Sequence, residues 1–193
     1  MDAMHENDED SVLTTPVGPQ DHIWGDRRAP VTIVEYGDYE CPHSALAHPV
    51  VQKLVSDFHG RLRFVFRHFP LRTLHPKAWD AAQAAEAAGR QGRFWEMHGF
   101  LMESGGHLDR EKLRQWMQDQ GLSTSRFDRD LVAQEIIDRV HEDRMSGVLS
   151  GVEQTPTFYI NGVKLLDQWD RETLSAAVQK ALEETGHPRR GAA

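Results

Sequence analysis

The sequence predicts an α/β fold: a central mixed sheet flanked by helices, with an all-helical subdomain inserted into it. Three observations predict this. First, residues 30–68 read strand–helix–strand. An apolar run alternates through Val31, Ile33 and Val34, a helical pattern runs through Ala45, Leu46, Val50, Val51, Leu54, Val55 and Phe58, and Arg61 to His68 alternate again. That connection implies parallel strands joined by a right-handed crossover. Second, strand character vanishes between about 76 and 149, where apolar residues fall at helical spacing. Third, it returns at Thr157-Phe158-Tyr159-Ile160, followed by Asn161-Gly162, a strong signal for a two-residue hairpin turn.

The elements follow in order. Residues 1–20 are polar and punctuated by Pro16, Gly18 and Pro19, and are expected to form a flexible acidic arm. Residues 21–75 form the first part of the α/β unit, with a short edge strand near Asp21 to Gly25, a strand at Val31 to Tyr36, a helix over 43–58 and a strand at 61–68. Gly60 suits the left-handed residue that ends a helix. Residues 76–149 form the helical insertion. It opens with the alanine-rich stretch Ala78 to Ala88, continues with Phe94 to Met102, breaks at Gly105-Gly106, and resumes from Leu108 and again from Phe127 to Leu149. Residues 150–184 complete the α/β unit with the hairpin, a return strand at Val163 to Leu166 and a helix capped by Asp170. Residues 185–193 are a tail.

Composition narrows the function. Net charge is −8, which argues against nucleic acid, whose phosphates would repel the chain. No apolar stretch approaches the roughly 20 residues of a membrane helix. The N-terminus is acidic and lacks the basic and apolar regions of a secretory leader. The expected compartment is therefore the cytoplasm, or the periplasm if a leader had been removed. One cysteine excludes an internal disulfide, so stability must come from the core.

That cysteine, Cys41, carries the chemistry. It opens the first helix, with Pro42 in the first turn, where a missing N–H costs nothing. Unpaired backbone N–H groups and the positive end of the helix dipole then face the sulfur and favour the reactive thiolate. Ser44 stands where a second cysteine would complete a Cys-x-x-Cys pair. A thiolate attacks a disulfide and forms a mixed disulfide. Without a second cysteine, release must come from an external thiol.

Four segments give this chain its resemblance to a known family: Ala29 to Pro42, Phe66-Arg67-His68-Phe69-Pro70-Leu71, Gln91 to His98, and Gly151 to Gly162. Together, over roughly residues 29–182, they resemble the DsbA-like branch of the thioredoxin-fold family, in a single-cysteine Cys-Pro-His-Ser variant. The resemblance implies a thiol–disulfide oxidoreductase with a catalytic segment Cys41, Pro42, His43 and Ser44. It implies that a protonated His43 stabilises the thiolate. It also implies that Thr155-Pro156 is a cis-proline loop facing the cysteine, where the Thr155 backbone pairs with an extended substrate. Glu35 is the candidate proton acceptor, since related folds use an acid on this strand. The departure is Ser44.

The expected activity is exchange of protein or glutathione mixed disulfides through Cys41, with glutathione as a co-substrate and no bound cofactor. Two other functions stay open. One is a glutathione-dependent transferase or isomerase of the same fold in which Ser44 activates glutathione. The other is a non-catalytic thioredoxin-fold module that binds peptides or proteins. A serine at 44 is also what an engineered trap for mixed disulfides would carry. The expected assembly is a monomer or weak dimer.

The remaining polar residues have simpler readings. Surface placement is the simpler expectation for Glu35, although its alternation with Val34 could turn it inward and raise its pKa. Asp38 and Glu40 are expected to be solvated, and His68 and His75 structural. The 11 histidines show no metal-ligand spacing, so no metal is expected. The tryptophans are expected mostly in the core or in the packing of the insertion.

Overall fold

The computed structural model describes residues 12–105, 109–166 and 168–186. The order is β1 (His22–Gly25), β2 (Val31–Gly37), α1 (Pro42–Asp57), β3 (Leu62–His68), then five helices, α2 (Ala78–Gly89), α3 (Phe94–Glu103), α4 (Arg110–Asp119), α5 (Thr124–Asp130) and α6 (Gln134–Leu149). β4 (Thr157–Ile160), β5 (Val163–Lys164) and α7 (Arg171–Gly186) follow. The fold is thioredoxin-like, with a mixed five-stranded sheet in the order β1-β3-β2-β4-β5. β2 and β3 are parallel and every other pair is antiparallel. β2 lies at the centre and is buried along its whole length. It ends at Gly37, just before the loop that carries Cys41.

Successive residues of β2 serve opposite faces. Val31 and Ile33 join Phe64 and Phe66 of β3, Leu54 of α1, Met97 of α3 and Val178 of α7 in one apolar cluster. Val34 and Tyr36 join Val65, Phe69 and Tyr159 in a second. α6 meets that second face, where the Tyr36 hydroxyl and Ser146 Oγ lie 2.8 Å apart. Gly37 has no room for a side chain. A Cβ there would overlap the Phe66 ring and sit 2.9 Å from Glu35 Oε1.

The hairpin forms as the Asn-Gly signal predicts. Asn161 and Gly162 have φ of 48° and 86°, and Ile160 pairs with Val163. The return strand ends at Lys164 rather than Leu166. Residues 12–20 correct the expectation of a flexible arm. Val12 bridges to Val163, Thr14 Oγ1 and Ser150 Oγ lie 2.9 Å apart, and the carbonyls of Thr15 and Pro16 accept from Arg67. Arg67 is buried and bidentate to Asp21, at 2.9 and 3.0 Å. A buried guanidinium requires such satisfaction, and this stretch of chain supplies it. The rest of the arm, residues 1–11, and the tail beyond 186 lie outside the described residues.

Candidate active site

Cys41 is the N-cap of α1, with an extended backbone and Pro42 at the first helical position. Its N–H donates to the Asp38 carbonyl at 3.1 Å, and its own carbonyl accepts from Ala45. No side chain caps the helix, so the N–H groups of His43 and Ser44 in the first turn are left to whatever accepts beside them. Cys41 is only 5% exposed. Its sulfur donates to the carbonyl oxygen of Thr155 at 3.2 Å. The Thr155-Pro156 peptide is cis, and Thr155 Oγ1 is buried without a hydrogen-bond partner. Residues 114 positions apart thus form one site.

A groove of about 650 Å³ runs beside this contact, lined by His43, Thr155, Pro156, Leu166 and Trp169 among others. His43 is exposed at its rim. Ser44 is fully buried, and its hydroxyl accepts the Asp38 N–H at 3.3 Å. Of the residues singled out from sequence, Cys41, His43, Ser44, Thr155 and Pro156 therefore meet at one end of the sheet.

Glu35 corrects the expectation of surface placement. It is buried and shares the face of Ile33, and its Oε1 has no partner. Burial pushes its carboxyl up to about 8. No hydrogen bond joins it to Cys41; it lies under Gly37, near enough that a Cβ on that glycine would reach its Oε1.

Asp38 departs from the solvated expectation, while Glu40 is half-buried. Asp38 is buried and organises the loop. Its carboxylate accepts from the Glu40 N–H at 2.8 Å, the Leu71 N–H at 2.8 Å and His75 Nδ1 at 2.8 Å. Glu40 Oε2 accepts the Lys77 N–H at 2.6 Å. The two acids thus fasten the 71–77 loop, which leads into the helical insertion, onto the cysteine loop.

A further layer of buried polar groups includes His68, in the structural role expected of it, and otherwise has no local signature in the sequence. The Tyr39 hydroxyl lies 3.1 Å from His98 Nδ1, and burial, with the nearby His48, His68 and His22, holds His98 well below its ordinary value. Neutral His98 can then accept from tyrosine. His22 and His68 both bond one oxygen of Glu86, at 2.9 and 3.0 Å. Burial alone would raise the Glu86 carboxyl, but the two histidines hold it well below the carboxylate range. The histidine spacing suggested no metal, yet His68, Glu86 and Asp143 offer ligand atoms within 4.8 Å of one another. Those acids already have partners, Asp143 taking the His68 N–H and Arg139.

Comparison places this geometry among known proteins. A family model described as Thioredoxin matches residues 18–180. A thioredoxin-like oxidoreductase from Silicibacter pomeroyi DSS-3 superposes with a TM-score of 0.76 at 29% identity, over 86% of this chain and 94% of that one. α-DsbA1 of Wolbachia pipientis shares the fold, with a TM-score of 0.75 at 22% identity over 90% and 96% of the two chains. A protein of Salinispora arenicola named as a Na(+)/H(+) antiporter is 45% identical over 90% of this chain. The chain spans about a quarter of the length of that curated relative, 26%. Among the described residues no helix is long and apolar enough to cross a membrane. With a thioredoxin model covering most of its length and a DsbA-like architecture around Cys41, the chain belongs to the thioredoxin family.

Proposed function

We propose that this chain is a DsbA-like thiol–disulfide oxidoreductase working through one nucleophilic cysteine. The observation that carries the reading is the placement of Cys41 Sγ, at an uncapped helix N-terminus and against the Thr155 carbonyl beside a groove. In the first step the Cys41 thiolate attacks a substrate disulfide. A Cys41–substrate disulfide forms, and the other substrate sulfur leaves as a thiolate that takes up a proton. In the second step an external thiol, glutathione or a protein thiol, attacks the mixed disulfide. It keeps the substrate sulfur in a new disulfide and returns Cys41 as thiolate.

Each residue has a part. Once deprotonated, Cys41 can no longer donate to Thr155, and the first-turn N–H groups of His43 and Ser44 become its natural donors. The Thr155 backbone then becomes available to an extended substrate. Glu35, protonated at neutral pH, is suited to exchanging a proton with the site as its carboxyl titrates near 8. Ser44 is buried with its hydroxyl on the Asp38 N–H, which supports attack by Cys41 over activation of glutathione by serine. Glutathione serves as co-substrate, and the compartment is one where it is plentiful, the cytoplasm.

The test is turnover of a glutathionylated peptide in excess glutathione. Release is expected with the unaltered chain and with Ser44→Ala, and is abolished in Cys41→Ala. Release that survives Cys41→Ala but fails in Ser44→Ala would overturn the assignment in favour of the serine.

A further inference from the structure

We propose a second site: the groove between the 71–74 loop and α6 docks an acidic segment of a partner polypeptide. The groove holds about 430 Å³, and its walls include Arg72, Leu74, Trp79, His141 and Arg144. The Arg72 guanidinium lies 5.0 Å from the Trp79 ring centre, and that of Arg144 lies 5.8 Å from Phe69. The Trp79 and His141 rings are 6.4 Å apart. An arginine stacked through its face keeps its N–H groups in the plane, free for a carboxylate.

Neither arginine has a carboxylate partner among the described residues, although the chain carries 30 acids against 22 lysines and arginines. Arg67, Arg90, Arg93, Arg110, Arg139 and Arg171 are paired with acids, whereas Arg27, Arg28, Arg61, Arg63 and Arg129 lack an acid partner among the described residues; Arg72 and Arg144 differ from these in sharing one groove. The fold therefore sets two arginines without carboxylate partners on one groove, Arg72 over Trp79 and Arg144 over Phe69, in an otherwise acidic molecule. Charge complementarity assigns the occupant its carboxylates. Leu74, 73% exposed at the rim, adds an apolar contact, which suits a polypeptide better than a bare anion. The groove is linked to the cysteine loop through Asp38. Leu71 lines it and donates its N–H to Asp38, whose carbonyl accepts from Cys41. A partner held here is presented one loop from the sulfur.

The test uses the full chain and fluorescein-labelled peptides of alternating glutamate and leucine, with lysine–leucine peptides as controls, read by fluorescence anisotropy. The glutamate peptide is expected to bind, more weakly as salt is raised, and the lysine peptide not to bind. Arg72→Glu with Arg144→Glu should weaken binding by roughly tenfold or more. Arg72→Gln with Arg144→Gln should weaken it less, and both pairs should leave the melting temperature and the reaction of Cys41 with glutathione disulfide unchanged. Equal binding of the two peptides, or binding indifferent to the arginines, would overturn the proposal. So would a DNA oligonucleotide binding as tightly as the peptide, which would make the groove a general polyanion site. Binding that appears only when Asp2, Glu6, Asp8, Glu9 and Asp10 are neutralised would assign the groove to the chain's own N-terminal segment instead.

Discussion

The Cys41 sulfur donates a hydrogen bond to the Thr155 carbonyl across 3.2 Å, joining the start of α1 to the loop before β4. The bond exists only while the sulfur holds its proton, so reactivity and packing are coupled at one atom. Cys41→Ser keeps a donor and places a favoured N-cap residue on α1. It is expected to be at least as stable as the unaltered chain. Cys41→Ala loses the bond and leaves the carbonyl unsatisfied, at a cost of about 1 kcal/mol. Both abolish exchange. Urea denaturation of the three proteins checks the order.

Glu35 makes stability depend on pH in a definite direction. Its carboxyl ionises near 8 when folded against 4.5 as the reference, so between these values the folded state holds more proton than the unfolded. Stability therefore falls as pH rises through that window. Glu35→Gln removes the ionisation and should flatten the profile, stabilising the protein by roughly 3–5 kcal/mol at pH 9 relative to its effect at pH 4. Denaturation midpoints of both proteins across pH 4–9 measure it. Parallel profiles would show that Glu35 is not the group responsible.

The Asp38 carboxylate ties the cysteine loop to the 71–77 loop through hydrogen bonds from Leu71 N–H and His75 Nδ1, and braces its own loop by accepting the Glu40 N–H. Asp38→Ala should cost about 2–4 kcal/mol, because it leaves buried donors unpaired. Hydrogen exchange locates the effect: the Leu71 amide should lose protection before the amides of β2 do.

These three residues show where the sequence could be read and where it could not. Cys41 with Pro42, and Asn161 with Gly162, declare themselves locally, because a cap or a turn is set by its own few residues. The pairing of β2 with β3 follows from alternation and a short crossover. Glu35 carried a signal in its phase, two residues after Ile33 on the same face, but a lone acid on a strand is ordinarily solvated. Asp38 had no such signal. Its partners Leu71 and His75 are more than 30 residues away, and only tertiary contact makes its burial favourable. The Arg67–Asp21 and Glu86–His22–His68 groups are of the same kind. Burial of a charge is decided by partners that a local pattern does not reveal.

Ser44 marks the missing thiol. Its side chain is fully buried one helical turn from Cys41, so a sulfur there stays out of solvent and close to the first. Ser44→Cys should form an internal disulfide between the introduced thiol and Cys41 under mild oxidant, lightening the protein by two hydrogens. It should also oxidise a peptide dithiol without added glutathione. It loses the hydroxyl acceptor of the Asp38 N–H, at a cost of about 1 kcal/mol. Mass spectrometry before and after reduction reads the disulfide.

The most direct measurement of the central claim is the intact mass of the full chain after incubation with glutathione disulfide at neutral pH. A single glutathione adduct on Cys41 is predicted, forming rapidly, removed by excess glutathione and absent from Cys41→Ala. A native protein that acquires no adduct, while a small thiol reagent still labels the same chain once it is unfolded, would contradict the nucleophilic role of Cys41 and leave a fold that only binds.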